Sequence, residues 1–282
     1  MAVRFIIDSG SDMLPEEAQK LGMIHLPLTV RFGDEEYLDG VDISHREFYE
    51  KLIESDTLPK TSQVTPSRFA EVYENVVSQG DTAVVVTLSG KLSGTYQSAV
   101  VAVADYEGKV FVVDSENVAL GERIVIMRGL ELAKEGVSAA EIKAKLDEEK
   151  KKVRLIALLD TLEYLKKGGR ISGTVAFVGG VLAIKPVIQV IDGEVKQVGK
   201  ARGSKQGNNL LREMVKECGG INFDKPYYLA YSGLSDELLR KYVKDSAELW
   251  EGKTDELPIS TVGATIGTYA GPGAIAVTFF EN

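Results

Sequence analysis

Short β-branched runs alternate with amphipathic helical segments through the first half of this 282-residue chain, and that alternation restricts its fold more than any other feature. The runs are residues 3–7, 24–32, 82–88, 109–113 and 153–159. The first ends in Asp8-Ser9-Gly10-Ser11-Asp12, a polar turn after a buried strand. Pro15 with Glu16 and Glu17 then suits the first turn of a helix, where proline and acids are both favoured. Ser44 is placed to cap a helix carrying Phe48, Tyr49 and Leu52. Thr65-Pro66 opens another with Phe69, Val72, Tyr73 and Val76 on one face. Further helices are expected from about Tyr96, over 118–134 and over 138–151. Strands separated by helices imply a parallel sheet covered on both faces.

The texture changes after about Thr161. Residues 185–191 and 194–199 flank Asp192-Gly193, the pattern of a β-hairpin. A helix at 204–216, a strand at 227–231 and a helix at 236–250 follow. The expected fold class is α/β. An N-terminal parallel-sheet α/β domain, residues 1–160, packs on a C-terminal α+β domain with a mainly antiparallel sheet, residues 161–282.

No charge occurs between Leu257 and Phe280, a run long enough on paper to cross a bilayer. Pro258, Gly263, Gly267, Gly271, Pro272 and Gly273 make it a poor continuous helix, and its hydroxyls add polar groups. A buried strand–turn–strand unit is expected instead, with no membrane insertion. The apolar stretch before Asp8 is too short for a signal-peptide core, so a cytoplasmic location is expected. The single cysteine, Cys218, fits a reducing compartment. With 33 Lys and Arg against 42 Asp and Glu, the net charge of −9 argues against wholesale nucleic-acid binding. His25 and His45 stand far apart in ordinary amphipathic sequence, so neither a metal site nor a histidine-based triad is expected.

Phosphate-loop, dinucleotide-binding, nucleophile-elbow and zinc-protease patterns are all missing from the sequence. What remains is Ser89-Gly90-Lys91-Leu92-Ser93-Gly94-Thr95, a hydroxyl-rich turn between a strand and a helix. Ligands of open α/β sheets bind there, and hydroxyls, N–H groups and a helix N-terminus suit a carboxylate or phosphate. An ordinary capped turn has the same composition. So does a Ser-loop hydrolase or phosphatase, although no histidine lies near Ser93 in sequence. Thr61-Ser62-Gln63 is a second, weaker hydroxyl cluster. Residues 166–205 hold eight cations and two acids, either a solvated face or a docking surface for an acidic partner. Inside them, residues 171–184 are uncharged and rich in Gly, Val and Ala, as suits a core or a hydrophobic tunnel. A ligand-free interaction module stays open at this point.

At these residues the chain resembles the DegV family of bacterial fatty-acid-binding proteins, including the acyl-binding subunits of fatty acid kinase. The similarity runs end to end. It is carried by Asp8-Ser9-Gly10-Ser11-Asp12, Lys60-Thr61-Ser62-Gln63 with Thr65-Pro66, and Leu92-Ser93-Gly94-Thr95-Tyr96-Gln97-Ser98-Ala99. Asp114-Ser115, Leu162-Glu163-Tyr164-Leu165-Lys166-Lys167-Gly168-Gly169-Arg170-Ile171 and Gly271-Pro272-Gly273 complete it. The resemblance implies a pocket between two domains for one long-chain, palmitate-like fatty acid. Thr61 and Ser93 would hold its carboxylate, with Gly94 close by, and no cofactor would be needed. The family often has a histidine just before the last motif; here Tyr269 and Ala270 stand there, and Tyr269 can still donate a hydrogen bond. The resemblance also implies a carrier, not an enzyme, that presents the carboxylate to a separate ATP-dependent fatty acid kinase. Arg170 and Arg202 match the positions of that partnership.

Overall fold

The computed structural model describes residues 2–171 and 184–282. Residues 172–183, most of the uncharged segment considered for a tunnel, lie outside the described residues. The chain begins with β1 (Val3–Asp8), α1 (Pro15–Lys20), β2 (Ile24–Leu26), β3 (Thr29–Phe32), β4 (Glu35–Leu38) and α2 (His45–Glu54). It goes on through β5 (Lys60–Ser62), α3 (Pro66–Ser78), β6 (Thr82–Thr87), α4 (Thr95–Ala102), β7 (Val110–Asp114), α5 (Leu120–Lys134) and α6 (Ala139–Glu149). Next come β8 (Val153–Leu158), α7 (Glu163–Lys167), β9 (Ile184–Ile191), β10 (Glu194–Arg202) and α8 (Gly203–Glu217). The chain closes with β11 (Tyr228–Tyr231), α9 (Glu237–Asp245), β12 (Ile259–Thr261), α10 (Ala264–Ala270) and β13 (Ile275–Phe280).

Three sheets result. The first is parallel throughout, in the order β2-β1-β6-β7. Its strands are apolar on both faces because both are covered. Phe5, Ile7, Val84 and Val86 pack with Ile124, Val125, Ile142 and Leu146 of α5 and α6. Ile6, Ala83 and Val85 pack with Phe69, Tyr73 and Ala99 of α3 and α4 on the opposite face. The second sheet, β10-β9-β8-β13-β11-β12, is antiparallel except for the β11–β12 pair. A small antiparallel sheet, β4-β3-β5, carries α2. The helix starts read from sequence hold: Ser44 and Ser138 each form a capping box, and Thr65 accepts from the Arg68 N–H.

Three expectations need correction. Residues 153–159, read as the last strand of the parallel sheet, supply β8 to the antiparallel one, between β9 and β13. Nothing in the strand itself encodes that choice, since its partner β13 lies over a hundred residues away. Residues 24–32 form two strands in different sheets. Pro27, with no N–H to give a ladder, separates them, and the Leu28 N–H turns instead to Ser9 Oγ at 3.0 Å. Finally, the uncharged tail is strand–helix–strand, with α10 where a turn was expected. Among the described residues no helix is long and apolar enough to cross a membrane.

Candidate ligand site

α10 is a poor helix on propensity, only seven residues long and containing Gly267 and two threonines. Acids from distant loops hold its first turn. Asp39 Oδ1 accepts from the Ala264 N–H and Oδ2 from the Thr265 N–H, each at 3.0 Å, and Asp12 Oδ1 accepts from the Gly263 N–H at 2.8 Å. These carboxylates satisfy N–H groups that a helix leaves open and complement its dipole. The first motif is therefore structural. Asp8 completes it by accepting from Gly10 N–H at 2.7 Å and Leu88 N–H at 3.0 Å, which ties β1 to the end of β6.

Burial dominates the electrostatics of this acid cluster. It pushes the Asp8 carboxyl up to about 7, against the pull of its two N–H donors. It raises Asp12 well above the usual carboxylate range. Glu122, fully buried on α5, is raised likewise by burial and by the neighbouring Asp8 and Asp12, and among the described residues neither of its oxygens has a hydrogen-bond partner.

A cavity lies along one face of the six-stranded sheet. Period-two alternation sends Leu155 and Ala157 of β8, Ile188 and Val190 of β9 and Ala274, Ala276 and Thr278 toward it. Ile156, Leu158, Val187 and Val277 face the other way, into the core under α8 and α9. The opposite wall comes from Thr265, Ile266 and Tyr269 of α10, from Leu88, Leu92 and Ser93 after β6, and from residues 118–120. The lining is overwhelmingly aliphatic.

Polar groups gather at one end. Thr61 Oγ1 and Tyr269 OH are hydrogen-bonded at 2.6 Å, and both residues border the cavity together with Ser93 and Arg170. Arg170 stacks its guanidinium over the Tyr269 ring, 4.8 Å from the centroid. It is steadied there by donating from Nε to the Leu92 carbonyl at 3.2 Å and from a terminal nitrogen to the Gly168 carbonyl at 2.7 Å. A surface cleft bordered by Lys60, Lys167 and Arg170 opens beside Thr61 and Tyr269. Gly168 must be glycine, because a Cβ there would stand 2.4 Å from the Tyr269 ring.

Ser93 precedes α4, and its Oγ pairs with Thr95 Oγ1 at 3.0 Å. A threonine hydroxyl is far too weak a base to activate a serine, whereas both hydroxyls can turn to a bound anion. Gly94 is the N-cap of α4 and does not border the cavity; it supports the loop, since a Cβ there would fall 1.9 Å from Gln63 Oε1. Gln63 in turn donates to Ser98 Oγ at 2.7 Å. Arg202 is exposed at the end of β10, bordering neither the cavity nor the cleft. Thr61, Ser93, Tyr269 and Arg170 thus converge, and Arg202 stands apart. Sequence reading missed Asp39 and Thr278, isolated polar residues with no motif around them, and took Thr265 only as one hydroxyl of the uncharged tail.

The family model described as "Uncharacterised protein, DegV family" matches residues 2–282. The chain belongs to the DegV family. A DegV domain-containing protein of Caldanaerobacter subterraneus is 34% identical over 282 residues, covering 99% of each chain. Among solved structures, a DegV family protein of Thermus thermophilus, described by its fatty acid binding, superposes with a TM-score of 0.89 at 31% identity over 100% of both chains. A stearic-acid-binding protein of Eubacterium ventriosum superposes with a TM-score of 0.84 at 27% identity, over 100% of this chain and 98% of that one. Both solved structures therefore share this fold over essentially their whole length.

Proposed function

We propose that this chain binds a long-chain fatty acid, with the acyl chain in the aliphatic cavity and the carboxylate among Thr61, Ser93 and Tyr269. The observation that carries the proposal is the gathering of three hydroxyl side chains and a guanidinium around a cavity whose walls are overwhelmingly aliphatic. Each buried methylene contributes about 0.8 kcal/mol, so a long alkyl chain favours such walls strongly. A carboxylate leaving water needs charge-assisted hydrogen bonds, and hydroxyl donors beside Arg170 offer them. Gly94 serves by keeping the Ser93 loop close against Gln63. The fatty-acid and stearic-acid binding of the Thermus and Eubacterium relatives supports the same occupant.

In this proposal the protein is a cytoplasmic carrier that needs no cofactor and presents the carboxylate to a separate ATP-dependent fatty acid kinase. Arg170 beside the site and Arg202 on the surface are its partner contacts. Residues 1–160 and 161–282 are its two units, with β8 lent by the first to the sheet of the second and the pocket between them.

The test is to purify the protein from a heterologous host, denature it, extract with organic solvent and analyse the extract by mass spectrometry. A stoichiometric palmitate-sized or stearate-sized acid is expected. A lipid-free extract from folded protein that also takes up no added palmitate would overturn the proposal.

A further inference from the structure

Two threonines that border the cavity carry buried hydroxyls with no partner among the described residues. Thr265 of α10 and Thr278 of β13 both line the cavity, with exposures of 2% and 0%, and among the described residues Thr265 Oγ1 and Thr278 Oγ1 make no hydrogen bond. The contrast with Thr268 is informative. That threonine donates to the Ala264 carbonyl at 2.9 Å, the usual back-bond to the preceding turn. Thr265 sits too near the start of α10 to have such a carbonyl, because the residue four before it, Thr261, still belongs to β12. Entering and along β13 the alternate residues Ala274, Ala276 and Thr278 border the cavity. Valine would fill the last position with the same shape and without leaving a hydroxyl unpaired in an apolar wall.

Thr265 is roughly 6 Å along the helix axis from Tyr269, and Thr278 is roughly 14 Å along the strand from Ala274. A saturated chain offers neither hydroxyl anything. A hydroxyl on the chain both donates and accepts, and so answers either one. Resting on the fatty-acid reading above, we propose that the preferred ligand is a long-chain fatty acid bearing a hydroxyl within its chain, and that Thr265 and Thr278 select it.

The experiment measures displacement of a fluorescent stearate analogue by stearate and by a mid-chain hydroxystearate. The native protein is expected to bind hydroxystearate about tenfold more tightly than stearate, the gain of one buried hydrogen bond. In the near-isosteric double variant Thr265→Val, Thr278→Val that ratio is expected to fall to about one. Equal affinities in the native protein overturn this proposal and leave the fatty-acid reading standing, while no displacement by either acid overturns both. A tenfold preference that survives in the double variant takes the selection away from these residues. The native comparison stands even if the variant folds poorly.

Discussion

Thr61 Oγ1 and Tyr269 OH meet at 2.6 Å across 208 residues of sequence. Thr61 is held by the register of β5 on β3, opposite Val30, and Tyr269 by a helix whose first turn is capped from two other loops. Neither side chain is placed by its own neighbours in the chain. The site is a product of tertiary structure.

If those hydroxyls hold a carboxylate, the double variant Thr61→Ala, Ser93→Ala should lose roughly 2–5 kcal/mol of fatty-acid affinity, the worth of two charge-assisted hydrogen bonds. Thermal stability should fall by only a few degrees, because neither hydroxyl supports the core. Titration with palmitate and a thermal scan check both halves, and unaltered affinity would count against the site.

Asp39 should matter for the site without touching a ligand. Asp39→Ala strands two N–H groups at the start of α10, and a loss of about 2–4 kcal/mol in stability is expected from chemical denaturation. Asp39→Asn, which keeps one acceptor, should lose less. Fatty-acid affinity should drop in the same order, since α10 carries Tyr269.

The buried acids make a signed pH dependence. A carboxyl whose folded pKa is raised holds its proton more tightly in the folded state, so its contribution is full below the unfolded value and is lost as pH rises through the folded one. For Asp8 that window runs from 3.8 to about 7. Glu122, with no hydrogen-bond partner among the described residues and raised well above the usual carboxylate range, adds in the same direction. Glu122→Met should therefore raise the melting temperature at pH 8, by about 2–4 °C for each kcal/mol recovered, with little change at pH 4. A variant less stable than the native protein at pH 8 would show that Glu122 is stabilising when charged.

Gly94 tests the loop. Gly94→Ala should cost about 1–3 kcal/mol through the clash with Gln63, and adding Gln63→Ala should restore part of it. Additive losses in the double-mutant cycle would contradict the contact.

Much of this was legible in the chain. The both-face burial of β1 and β6 was written in their unbroken apolar runs, and the caps at Ser44 and Thr65 in local chemistry. The loop at Ser93 stood out by its hydroxyls and glycines. Long-range pairings were not legible. The alliance of β8 with β13, the helix in the uncharged tail and the service of Asp39 to that helix all depend on partners far away in sequence. Local propensity even argued against α10, and the distant caps outweighed it.

The most direct measurement is a crystal structure of the protein with palmitate. The carboxylate is expected within hydrogen-bond distance of Thr61 Oγ1 and Ser93 Oγ beside Tyr269, with the alkyl chain along Ala157, Ile188 and Ala276. A carboxylate bound elsewhere, or a cavity that stays empty with palmitate in excess, would contradict the account.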